Sequence, residues 1–107
     1  MSALIAYCCV PDDGVADRIA RALVEEGLAA CVNRLPGVVS TYRWDGETRV
    51  DTELLLLIKT TRARFEALRA RIVALHPYEL PEVIAVDVAL GHEPYLAWLA
   101  QATASKH

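Results

Sequence analysis

One short stretch, His76-Pro77-Tyr78-Glu79-Leu80-Pro81-Glu82, gathers an imidazole, a phenol and two carboxylates. Pro77 and Pro81 make it stiff and non-helical, because each fixes its own φ and pushes the preceding residue out of the helical region. His76 with Glu79 and Glu82 could in principle exchange protons with a substrate. No nucleophile or oxyanion donor accompanies them. The chain has no readable Ser-His-Asp or Cys-His arrangement, no glycine-rich phosphate loop and no HExxH. The expectation is a protein that is not an enzyme.

Metal ligation is better motivated. Imidazole and thiolate suit copper and zinc, and Cys8, Cys9 and Cys31 fall on apolar stretches that could lie beside the turn. Cys8 and Cys9 are adjacent, so on a strand they point to opposite faces and do not easily grip one ion together. The alternative for His76 is structural: a single histidine beside a proline is more often a hydrogen-bonded part of the frame. A second group is aromatic, with Tyr42, Trp44, Tyr78, Tyr95 and Trp98. Lys59 could attract an anion. Arg62, Arg64, Arg69 and Arg71 read as a solvated helix face in preference to a phosphate site.

These side chains need elements to hold them. Ala3 to Val10 is an apolar run that reads as a buried strand, and Asp12 or Asp13 can cap the helix that follows. Ala16, Ile19, Ala20, Leu23 and Val24 form its apolar face, and Gly27 is placed to end it. Leu28 to Trp44 is extended but broken by Pro36-Gly37, which confines it to an edge or a bulge. Asp45-Gly46 signals a two-residue hairpin, from which a strand returns over Glu47 to Lys59. Its half from Leu54 to Ile58 is wholly apolar, as in a central strand, and its polar half should project with Val38 to Trp44 as an arm. Thr60 or Thr61 caps a second helix with Phe65, Leu68, Ile72 and Leu75 in its stripe. After the His76–Glu82 turn come a strand over Val83 to Val88 and a last helix opened by Gly91-His92-Glu93-Pro94, with a frayed tail beyond Ala102.

Strand-helix-strand-strand-helix-strand plus a terminal helix predicts an α+β ferredoxin-like sandwich. It has a four-stranded antiparallel sheet, helices on one face and an extended hairpin between the second and third strands. The other sheet face is too apolar for water, so a partner subunit is expected on it. The whole of residues 1–107 reads as one domain. With 54% apolar and 23% charged residues and a net charge of −3, a general nucleic-acid binder is disfavoured. No apolar run is long enough to insert in a membrane and no secretory signal opens the chain, so the expected location is cytoplasmic. An odd count of three cysteines argues against a disulfide scaffold.

Five segments in order carry a resemblance. They are Ala29-Ala30-Cys31-Val32-Asn33 with Pro36-Gly37, Ser40-x-Tyr42-x-Trp44-x-Gly46, Ile58-Lys59-Thr60, His76-Pro77-Tyr78-Glu79-x-Pro81-Glu82-Val83-Ile84 and Tyr95-Leu96-x-Trp98. The chain closely resembles the CutA family of divalent-cation tolerance proteins. That resemblance implies a homotrimer built like the PII signalling proteins, with sheets facing inward and hairpin arms reaching across to neighbours. It also implies a role in heavy-metal tolerance with copper, or another divalent metal, bound by Cys8 and His76, with Glu79 as a third candidate. Some relatives carry a histidine before the His-Pro pair, where this chain has Leu75. A PII-like alternative is a signalling trimer that takes a small ligand or protein partner in clefts between subunits, near Lys59, Tyr42, Trp44, Tyr78 and Glu82.

Overall fold

The computed structural model describes residues 2–104. The expected tail beyond Ala102 runs into residues 105–107, which lie outside the described residues. In chain order the elements are β1 (Ala3–Val10), α1 (Asp13–Glu25), β2 (Cys31–Trp44), β3 (Glu47–Thr61), α2 (Arg62–Leu75), β4 (Ile84–Asp87) and α3 (Glu93–Ala102). The sheet is ordered β2-β3-β1-β4, and every neighbouring pair is antiparallel. This is the α+β ferredoxin-like arrangement that the element order predicts.

Alternation along the strands sorts the side chains. On β1, Leu4, Ala6, Cys8 and Val10 are buried against the helices, whereas Ile5, Tyr7 and Cys9 turn to the other face and are half-buried. The apolar half of β3 is interior, flanked by β1 and β2. Leu56 and Ile58 join Ile19 and Leu23 of α1 and Leu68 and Ile72 of α2 in one fully buried core. Phe65 and Leu75 pack at its edge, so the predicted stripe of α2 is the buried one. Leu99 of α3 packs separately on Ala3, at the start of β1, and Ala30, just before β2. The face that α1 and α2 leave uncovered carries Leu35, Ile84 and Val86, which are 39%, 57% and 48% exposed.

Local chemistry explains the ends. The Asp12 carboxylate accepts from the Val15 amide at 2.9 Å, capping α1. Gly27 follows that helix at φ +72°, the left-handed geometry that a side chain resists. Asp45 at φ 52° and Gly46 at φ 77° make the tight hairpin turn that matches strand twist. Pro36 lies on edge strand β2, where the register slips between Leu35 and Val38, so the proline costs no interior ladder bond.

Two boundaries differ from expectation. β3 continues to Thr61 instead of stopping at Lys59, because Thr60 is buried and its hydroxyl donates to the Leu28 carbonyl at 2.7 Å. Thr61 takes the N-cap position of α2 without a side-chain bond. β4 is shorter than Val83 to Val88, since its pairing covers only Leu4 to Tyr7 of β1 and Val83 packs against the main core.

Candidate functional site

α2 ends where Pro77 forces His76 into an extended conformation, φ −78° and ψ 136°. The His76 ring folds back under the turn and is 7% exposed. Its Nδ1 accepts from the Tyr78 amide at 3.1 Å. An amide only donates, so Nδ1 is unprotonated and Nε2 carries the hydrogen, which it donates to the Cys9 carbonyl at 2.8 Å. The ring also packs on Tyr78, with centroids 4.5 Å apart. The Tyr78 hydroxyl donates in turn to Glu53 Oε2 at 2.6 Å. One line of hydrogen bonds thus laces β1, the turn and β3 together.

Along this line the thiols and phenol are held in their protonated forms. The Cys8 thiol is pushed up to about 12, by burial first and then by Cys9, Glu82 and Glu53. The Cys9 thiol is pushed up to about 11, by burial and then by the Glu82 carboxylate beside it. Burial, followed by the bond to Glu53, also raises the Tyr78 phenol.

The turn forms one wall of a cavity of about 700 Å³. The arm forms the other, through Ser40, Thr41, Tyr42, Arg43, Trp44 and Arg49. Glu53, Glu79, Glu82, Tyr78, Leu80 and Cys9 complete the lining. The Tyr42 hydroxyl donates to Asp51, two ladder positions from its cross-strand partner Arg49 and on the same strand face. That bond, ahead of partial burial, raises the Tyr42 phenol.

The structure therefore brings Tyr42, Trp44, Tyr78, Glu79 and Glu82 to one cavity. It does not bring Cys8, His76 and Glu79 together as ligands. The Cys8 side chain is fully buried in the helix-side core, both His76 nitrogens are engaged, and Glu79 is exposed on the cavity wall. Among the described residues no three His, Cys, Asp or Glu side chains are arranged to hold a metal ion. Lys59 pairs with Ile5 and Cys31 near the far end of β3. At about 3.3 Å per residue this leaves it roughly 20 Å along the strand from Glu53.

The arginines of α2 are occupied within the chain, as a solvated face implies. Arg62 pairs with Asp87, Arg64 donates to the Thr103 carbonyl at 2.8 Å, Arg69 pairs with Glu66, and Arg71 pairs with Glu26 at 3.0 Å. Residues that sequence reasoning passed over are Glu53, Arg43, Arg49 and Ser40. A signal was present for Glu53 and Arg49, because both share a strand parity with Leu55 and so face the side that the helices leave bare.

The comparisons with known proteins agree with one another. Residues 4–102 match the family model described as CutA1 divalent ion tolerance protein. The chain is 55% identical over 99 residues to the divalent-cation tolerance protein CutA of Thermus thermophilus, covering 92% of this chain and 96% of that one. It is 41% identical to a chloroplastic CutA protein of Arabidopsis thaliana over 94% of this chain, though it spans only 55% of that longer relative. A crystal structure of CutA from Xylella fastidiosa superposes with a TM-score of 0.94 at 45% identity, covering 97% of this chain and all of that one. The chain belongs to the CutA1 divalent ion tolerance protein family.

Proposed function

We propose that the protein acts in divalent-cation tolerance as a homotrimer, and that its work is binding rather than catalysis. The observation that supports an assembly is the sheet face opposite α1 and α2, where Leu35, Ile84 and Val86 stand exposed beside Ile5, Tyr7, Leu55 and Leu57, and the count of three copies follows the resemblance to the family. A contiguous apolar face of this kind marks a surface that another protein chain covers. The long arm built by β2 and β3 offers each copy a way to reach its neighbour, with Tyr42 and Trp44 as anchors. Light scattering tests it: a mass of about three times 11.8 kDa is expected, and a mass near 11.8 kDa overturns the reading. A cytoplasmic location belongs to the same proposal.

Copper or another divalent metal is the proposed ion. As arranged in one chain, Cys8, His76 and Glu79 do not fit it. For His76 to ligate, Nδ1 must release the Tyr78 amide or Nε2 the Cys9 carbonyl, and a thiol held up to about 12 must lose its proton. Titration with Cu(I), Cu(II) and Zn(II) decides the matter. If a variant carrying His76→Ala and Cys8→Ser binds as tightly as the wild type, these residues are not the ligands.

A second reading, that the assembly takes a small ligand as PII-like proteins do, is favoured by the cavity. Its volume of about 700 Å³ lies within the usual range for small-molecule sites, and aromatic and charged groups converge on it. A thermal-shift screen of nucleotides and metabolites tests this reading, and a flat response throughout counts against it.

A further inference from the structure

Along β3 the uncovered sheet face carries a cation at one end, a carboxylate at the other and no charge between. Lys59 sits between Ile58 and Thr60, both fully buried on the helix side. Its side chain therefore turns to the opposite face, where it is half-buried beside Ile5 and Cys31. Leu57, Leu55 and Glu53 follow on the same face of the strand. Their cross-strand neighbours up to Leu55 are Tyr7, Cys9, Asn33 and Leu35. At about 3.3 Å per residue Lys59 and Glu53 stand roughly 20 Å apart, too far to pair within one chain.

Neither charge is answered inside the chain. Among the described residues Lys59 joins no ion pair, and neither does Glu53. Glu53 is 7% exposed, and among the described residues the neutral Tyr78 hydroxyl is the one side chain that donates to it. Arg49 does not serve it, because it lies between Asp51 and Glu47 on that strand face and contacts Glu47 at 3.6 Å. Arg43 stands opposite Thr48, on the other face of the arm. A charge that loses its water without gaining a counter-charge is costly. A second copy laid on this face strands the Lys59 ammonium among apolar side chains and closes off Glu53, unless each charge meets the other across the contact.

Resting on the reading of this face as the contact between copies, we propose that Lys59 of the partner subunit enters the cavity and pairs with Glu53. The two residues stand at opposite ends of one surface, so each copy gives its lysine to one neighbour and receives a lysine at its own Glu53. The face is then complementary to itself in charge as well as in apolar area. The cavity beside Tyr78 is built by two chains and is incomplete in one. Its buried carboxylate is neutralised by protein, so a small ligand meets the aromatic side chains and the arm without an unanswered charge at that end.

Sedimentation over a concentration series, with circular dichroism as the check on folding, tests the pair through Glu53→Gln and Lys59→Met. Glutamine still accepts from Tyr78, and methionine keeps an unbranched apolar stem. Each change alone leaves one covered charge without its partner and should weaken association at least about thirtyfold. The double variant removes both charges and should associate more tightly than Glu53→Gln alone. If Lys59→Met tightens association or leaves it unchanged, the lysine has no acidic partner, and the proposal falls while the assembly stands. Losses that multiply in the double variant overturn it as well. Should Glu53→Gln fail to fold, carbodiimide coupling of the wild type decides. The β3 peptide that holds both residues should appear joined to a second copy of itself from Lys59 to Glu53, which takes two chains, and its absence overturns the pair. A wild type that sediments near 11.8 kDa at every concentration sinks this proposal and the assembly together.

Discussion

Tyr78 donates its hydroxyl hydrogen to a Glu53 carboxylate that is almost completely buried, across 2.6 Å. The phenol belongs to the turn after α2 and the carboxylate to β3, so this bond ties the proline-stiffened turn to the sheet. Breaking it leaves a charge in a poorly solvated place.

Tyr78→Phe removes the donor and keeps the ring. Hydrogen bonds to charged groups contribute about 1.5–3 kcal/mol, so unfolding stability should fall by about that much. Denaturant unfolding followed by circular dichroism measures it, and an unchanged midpoint would falsify the idea that Glu53 depends on this partner.

The Cys8 thiol gives a pH dependence with a definite sign. Its value is raised from an ordinary 9.0 to about 12 in the folded protein. The unfolded chain therefore releases that proton first as pH rises. The stability contributed is complete below about pH 9 and is lost progressively toward about pH 12. Tyrosines and lysines titrate in the same window, so the control is Cys8→Ala, whose stability should decline less steeply with pH than the wild type. In the native state at neutral pH, Cys8 should also resist iodoacetamide, read by mass spectrometry, because the thiol is both buried and protonated.

Trp44→Ala should loosen the proposed assembly without unfolding the protomer. Trp44 ends β2 beside the hairpin turn, outside both clusters of the core. Aromatic anchors at interfaces cost about 2 kcal/mol or more when truncated, equivalent to roughly thirtyfold in dissociation constant. Sedimentation at a series of concentrations should show smaller species appearing where the wild type stays intact, with unchanged circular dichroism.

Gly46→Val should weaken the arm locally. At φ 77° a β-branched side chain is strained, at a cost of about 1–2 kcal/mol. Amide exchange should quicken from Val38 to Asp51 while the strands β1 and β4 keep their protection.

Much of the fold was legible because it rests on short-range rules. The Asp12 cap, Gly27 at the end of α1, the Asp45-Gly46 turn and the apolar interior half of β3 each follow from a few adjacent residues. The site was legible only in part. Adjacency showed that Cys8 and Cys9 face opposite ways, but which one meets the core depends on where the helices pack. The contact of His76 with the Cys9 carbonyl joins residues far apart in the chain, and no local pattern encodes it. Thr60 looked like a helix cap because threonine caps helices. A carbonyl from the segment after α1 claimed its hydroxyl instead.

The β2–β3 pairing, set by the turn at Asp45 and Gly46, has a consequence for the order in which the protein folds. Its ladder grows outward from adjacent residues, so each new bond closes a short loop and costs little chain entropy. The pairing of β1 with β4 joins the two ends of the chain and closes the longest loop in the sheet. The arm can therefore zip early, while the strand that completes the sheet must wait for α1, α2 and the His76 turn to bring the ends together.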